Sequence, residues 1–125
     1  MEGVVTFLLT KSPYAAQSFY RDVLGLTLVG DDGFALVFAM DGVMLRISRV
    51  PDFTPAQHTV LGWKTGEIRA DMARLVEKGV RFERYPDMEQ DEEGVCTFPS
   101  GDKVAWFKDP DGNLLSLSQF SAQAH

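Results

Sequence analysis

Phe19-Tyr20-Arg21-Asp22-Val23-Leu24-Gly25-Leu26 reads as the end of a helix running into the start of a strand. Upstream, Ser12-Pro13 is a helix-start signal: the serine hydroxyl is expected to cap free backbone N–H groups, and proline sits where its missing N–H costs nothing. Ala15, Phe19 and Val23 then recur every four residues, with Ala16, Tyr20 and Leu24 beside them, which gives one apolar helical face. Gly25 is expected to end that helix as a left-handed cap. Before the helix, Gly3 to Thr10 is apolar and β-branched, as a strand should be. After it, three short strands are expected near Leu26–Gly30, Phe34–Met40 and Val43–Arg49. They are joined by Asp31-Asp32-Gly33 and Asp41-Gly42, both hairpin chemistry. The order is βαβββ.

A linker containing Pro51 and Pro55 follows, and the pattern restarts. His58 to Thr65 reads as a strand, and Ile68, Met72, Leu75 and Val76 mark an amphipathic helix capped by Gly79. Val80 to Glu83 reads as a strand, and the acidic stretch Glu89 to Glu93 as a solvated loop. Val95–Phe98 and Val104–Phe107 form a hairpin on paper, and Leu114–Gln119 is the last strand. Val5–Thr10 aligns with Val60–Thr65, and Gly25-Leu26-Thr27-Leu28 with Gly79-Val80-Arg81-Phe82, so the repeat is one of structure rather than of letters. The expectation is a single α+β domain over residues 1–125: module one at about 3–50, a linker at 51–56 and module two at about 57–120.

Composition narrows the function. Hydrophobic residues make up 45% and charged residues 24%, an ordinary soluble balance. No leader pattern and no apolar run of membrane length is present, and the lone cysteine, Cys96, forms no intrachain disulfide. These features predict a cytoplasmic protein with no membrane partner. The net charge of −6 and the scattered Lys and Arg residues argue against nucleic acid, which needs a basic stripe.

Two motifs carry a resemblance. The stretch from Phe19 to Leu26 is similar to the end of the first helix in the vicinal oxygen chelate superfamily, the glyoxalase, bleomycin-resistance and dioxygenase relatives. Phe107-Lys108-Asp109-Pro110-Asp111-Gly112-Asn113-Leu114-Leu115 resembles the turn before their last strand. The match runs from about residue 4 to residue 119. It implies two βαβββ modules forming a half-open curled sheet around a cleft. In the enzymes of that family, His, Glu or Gln side chains from the first and last strand of each module hold a divalent metal there, which acts as a Lewis acid. Read from its own residues, the second motif is structural: Gly112 and Asn113 tolerate left-handed backbone, and the two aspartates can bond nearby N–H groups.

Alternation along the strands places the implied ligand positions on Val5, Arg46, Val60 and Ser116. Valine cannot coordinate, arginine repels a cation, and serine is a poor ligand for Zn, Ni or Fe. The chain's histidines are His58 and His125 alone. No metal and no cofactor is therefore expected. The cleft lining is expected to be Val5, Phe7, Met44, Arg46, His58, Val60, Trp106, Leu114 and Ser116, together with Leu9, Ser48, Gly62, Lys64 and Ser118. Leu8, Leu45, Leu61, Trp63, Leu115 and Leu117 should pack on the helices.

Arg46 has two readings: a clamp on a ligand carboxylate or phosphate, or a salt bridge to one of the many carboxylates. His58 is a candidate general base or an ordinary strand-end histidine. Trp106 or Phe107 could stack on a flat ligand. Cys96, on an expected edge strand with no nearby Lys or His, does not read as a nucleophile. The first functional reading is a metal-free protein that binds a small organic molecule in a cleft, as a homodimer. The alternative is a metal-independent enzyme using Arg46 and His58 on a small anionic or carbonyl substrate. The third is a metal-dependent lyase or dioxygenase.

Overall fold

The computed structural model describes residues 1–122, so His125 lies outside the described residues. The chain divides into two compact units. The first comprises Met1–Pro55 and, from much later in the sequence, Asp109–Gly112; the second comprises Ala56–Lys108 and the chain from Asn113 onward.

In the first unit, β1 (Val5–Thr10) leads to α1 (Pro13–Ser18) and a π-helical turn at Phe19–Val23, then to β2 (Thr27–Asp31), β3 (Ala35–Met40) and β4 (Val43–Arg49). The strand order is β1-β4-β3-β2, with β1 parallel to β4 and the other pairs antiparallel. Two-residue alternation sends Leu8, Thr10, Leu36, Phe38, Leu45 and Ile47 to a buried face. Ala16 and Tyr20 are buried as well, and the Tyr20 ring lies 5.9 Å from that of Phe38.

The helical segment differs from expectation at both ends. The Ser12 side chain makes no capping bond; Ser12 sits at φ −133° and ψ 68°, and its own N–H donates to Thr10 Oγ1 at 2.9 Å. At the other end the helix widens, with the Leu24 N–H donating to Phe19 O and the Leu26 N–H to Tyr20 O. Gly25 closes it at φ 76°, in the left-handed region where a side chain would be strained.

In the second unit, β5 (Leu61–Lys64), α2 (Ile68–Glu77), β6 (Cys96–Thr97), β7 (Lys103–Lys108) and β8 (Leu114–Gln119) follow in order. The sheet order is β5-β8-β7-β6, with β5 parallel to β8. Ile68, Met72 and Leu75 of α2 are buried, as are Ala105, Phe107, Leu115 and Leu117. The strand expected over His58–Thr65 begins only at Leu61, which leaves His58 and Val60 in irregular chain. The strand expected over Val80–Glu83 shrinks to one bridge, Phe82 to Phe107. Gln90 accounts for that: its amide donates to the Glu83 and Gly94 carbonyls and accepts the Tyr85 N–H, so a side chain takes backbone groups that a ladder would have used. Among the described residues, no helix is long and apolar enough to cross a membrane.

Candidate functional site

The second face of the first unit's sheet is the candidate site. Phe7, Arg46 and Val37 are partners across β1, β4 and β3, and Val5, Met44 and Ala39 form the adjacent row. Alternation that buries Leu8 and Leu45 leaves this face open: Phe7 is 63% exposed, Val5 44%, Met44 42% and Leu9 40%. Scattered apolar residues on a surface are ordinary, and contiguous ones on one strand face make that face a candidate for binding. A pocket of about 250 Å³ adjoins this face, lined by Val29, Phe38, Ala39, Gly42, Val43 and Met44.

Arg46 is the one charge in those two rows. Its Nη2 donates to Asp32 Oδ2 at 2.7 Å, so the carboxylate partner comes from the β2–β3 turn. Asp32 Oδ1 also accepts the Phe34 and Ala35 N–H groups. A neighbouring pair repeats the arrangement, with both nitrogens of the Arg49 fork on Asp31 at 2.5 and 2.6 Å. The Arg46 bond, aided by the two N–H groups, holds the Asp32 carboxyl down at about 2; the Arg49 bond does the same for Asp31, also to about 2. Arg46 therefore does form the carboxylate salt bridge, though with one nitrogen only. Its Nη1 and Nε have no protein partner among the described residues and are not sealed from solvent.

Both pairs predict a pH response. Each folded-state carboxyl titrates below its ordinary value of 3.8, so each stabilises the fold fully above that value and stops doing so as pH falls toward 2. Urea midpoints should fall between pH 4.5 and pH 2.5, and the fall should be shallower in Asp31→Asn/Asp32→Asn. Equal slopes in the two proteins would show that the turn carboxylates do not set the acid limb.

The remaining expected cleft residues lie in the second unit. Trp106 and Ser116 are partners across β7 and β8, and Ser116 pairs with Gly62 of β5. Leu114 and Ser116 are buried, Trp106 is half-buried, and the Tyr85 ring stands edge-on to Trp106 at 5.7 Å. The Val60 N–H donates to Leu114 O at 2.9 Å. At Gly62 a Cβ would come within 2.6 Å of Ser116 Oγ, so that the hydroxyl would have to turn away. Gly62→Ala is expected to destabilise by about 1–3 kcal/mol through overpacking. Ser116→Ala in the same chain should restore part of the loss, and a cycle of urea midpoints reads the coupling.

His58 is exposed in the chain before β5, and it makes no hydrogen bond or ion pair among the described residues. It is not the strand-end residue that alternation suggested, and no carboxylate orients its imidazole as a general base would require. Cys96 is buried on the edge strand β6, opposite Val104. Trp63 stacks over Phe107 on the packed face. The structure thus brings Val5, Phe7, Met44 and Arg46 together on one face, and Leu114, Ser116 and Trp106 together on another. Asp32 was missed; its signal was two adjacent turn aspartates facing a strand with two arginines.

Residues 4–117 match the model of the Glyoxalase/Bleomycin resistance protein/Dioxygenase superfamily. Among solved structures, lactoylglutathione lyase from Agrobacterium tumefaciens is 20% identical with a TM-score of 0.71, covering 93% of this chain and 91% of its own. The antibiotic-binding protein TnmS3 from Streptomyces sp. CB03234 is 24% identical at a TM-score of 0.71, covering 97% of both chains. A superfamily member from Sphaerobacter thermophilus is 22% identical at 0.71, covering 95% of this chain and 97% of its own. No curated protein matches the chain. Against the metal that such a fold implies, the donors do not fit. Among the described residues no three His, Cys, Asp or Glu side chains converge, and the positions that the resemblance implies for ligands would carry Val5, Arg46, Val60 and Ser116.

Proposed function

The chain belongs to the glyoxalase/bleomycin resistance protein/dioxygenase superfamily, and from that premise we propose that it binds a small organic molecule without a metal. The observation that carries this reading is the open row of Val5, Phe7, Leu9 and Met44 around Arg46, with a pocket of about 250 Å³ beside it. Small-molecule sites are mostly apolar with a few convergent polar groups, and this face has that make-up. A superfamily that holds both a lyase and an antibiotic-binding protein on one fold leaves the choice to the residues. Here they offer no donor set for a Lewis acid. For a metal-independent enzyme the candidate base would be His58, which has no partner to orient it.

Elemental analysis of tag-free protein, followed by titration with Zn, Ni, Fe and Mn, tests the metal. Far less than stoichiometric metal and no uptake on titration are expected; an equivalent bound tightly would restore the lyase and dioxygenase readings. Thermal unfolding against a panel of small aromatic and aliphatic acids, amides and amines tests binding. A ligand at about a hundred times its Kd adds about 2.7 kcal/mol to stability, an increase that shows as a concentration-dependent rise in Tm.

A further inference from the structure

Resting on that binding reading, we infer that the ligand is a monoanion, a carboxylate on an apolar body, held by the free side of the Arg46 guanidinium. Three observations on the first unit converge. Arg46 has mostly apolar neighbours in its sheet: Phe7 and Val37 are its strand partners, and Met44 and Ser48 flank it on its own strand face. The Arg46 side chain is part-covered by these neighbours, so water screens a contact to it less than it would a fully exposed one. Asp32 takes Nη2 only, and Nη1 and Nε keep their hydrogens pointed at no protein atom among the described residues. A guanidinium carries five N–H donors in a fixed fork; Asp32 takes one of the two on Nη2, and a carboxylate can take the other together with its neighbour on Nη1 or Nε with two oxygens.

Charge then selects among anions. Arg46 contributes one positive charge and Asp32, ionised far below neutrality, one negative charge, so the site is close to neutral before a ligand arrives. The chain's net charge of −6 adds a general repulsion. A dianionic phosphate meets both penalties at double strength, whereas a carboxylate meets them once and satisfies the fork. The apolar body has its place as well: the exposed Phe7 ring offers a stacking surface, and the pocket of about 250 Å³, which shares Ala39 and Met44 with this face, has room for one or two rings.

The test uses the full chain with 2-naphthoate and its neutral isostere 2-naphthamide, with binding followed by probe fluorescence. Wild-type protein is expected to bind the naphthoate at least about tenfold more tightly than the amide, since hydrogen bonds to charged groups are the stronger kind. Arg46→Met should weaken naphthoate binding roughly 10- to 100-fold and the amide, which loses only a neutral acceptor's bond, by much less. Arg46→Lys, which keeps the charge and loses the fork, should fall between. Equal binding of the two probes, or an Arg46→Met variant that loses neither, overturns the carboxylate assignment and leaves small-molecule binding standing. Displacement of naphthoate from wild type by inorganic phosphate overturns the monoanion selection. Failure of both probes at millimolar concentration overturns the assignment, and failure of the wider panel of acids, amides and amines as well overturns the binding reading with it. Sedimentation run alongside separates one more outcome: naphthoate that binds only by splitting a dimer means that a second copy of the chain covers this face, which also overturns the proposal.

Discussion

Phe107→Ala is expected to lower the unfolding free energy by about 3–5 kcal/mol, the range for deleting a buried aromatic ring. Phe107 is fully buried in the second unit, where its ring lies 6.4 Å from Trp63 and 5.5 Å from Phe82. It also holds the single bridge that ties Phe82 to the sheet. Deletion therefore removes the ring's transfer free energy and leaves a cavity between two aromatic neighbours that are held by backbone on separate elements. A loss of this size is a large part of the roughly 5–15 kcal/mol that keeps a domain folded. Urea titration followed by the fluorescence of Trp63 and Trp106 reads it directly, as a lower midpoint with an unchanged slope. Phe107→Leu should cost much less, because most of the volume is kept. A loss below about 1 kcal/mol in the alanine variant would mean that Trp63 and Phe82 close over the gap and that the core is less fixed than its geometry implies.

Periodicity made much of this architecture readable before any coordinates. Alternation in β1 and β4 separated Leu8 and Leu45, which are buried, from Val5, Phe7 and Met44, which are open, and the two motifs pointed to the superfamily that the chain belongs to. What failed to show depends on side chains competing with the backbone. Gln90 bonds Glu83, Tyr85 and Gly94, and so the segment that reads as a strand from Val80 becomes a single bridge. Thr10 accepts the Ser12 N–H, and the serine hydroxyl does not cap. The widening at Phe19–Val23 leaves no mark in a four-residue repeat, because Phe19, Tyr20 and Val23 fit either helix. Arg46 was legible as a residue that needs an anion; that Asp32 supplies it, through Nη2, is a matter of geometry. Alternation identifies which face a side chain takes, not which loop reaches across to meet it.

Asp111→Ala should destabilise the first unit by about 2–5 kcal/mol, one buried unsatisfied group at a time. Asp111 Oδ2 accepts the Thr10 hydroxyl and Oδ1 accepts the Lys11 N–H, while its own N–H donates to Asp109 Oδ1 at 2.9 Å. Asp109 in turn accepts the Tyr20 hydroxyl at 2.7 Å, and burial together with that carboxylate pushes the tyrosine's titration far above its ordinary range. Thr10, Tyr20, Asp109 and Asp111 are all buried, so a lost partner here is not replaced freely by water. The segment 109–112 thereby joins β1 and the first helix, although the sequence delivers it between the last two strands. Asp111→Asn distinguishes the causes: its amide oxygen can still accept the Lys11 N–H, and its amide nitrogen can donate to a rotated Thr10 hydroxyl. It should lose about 1 kcal/mol, because neutral bonds are weaker than charge-assisted ones. If asparagine costs as much as alanine, the carboxylate charge matters more than the bond count. If alanine costs less than about 1 kcal/mol, the motif is not holding the fold, and a functional role for its two aspartates becomes the better explanation of why they are buried there.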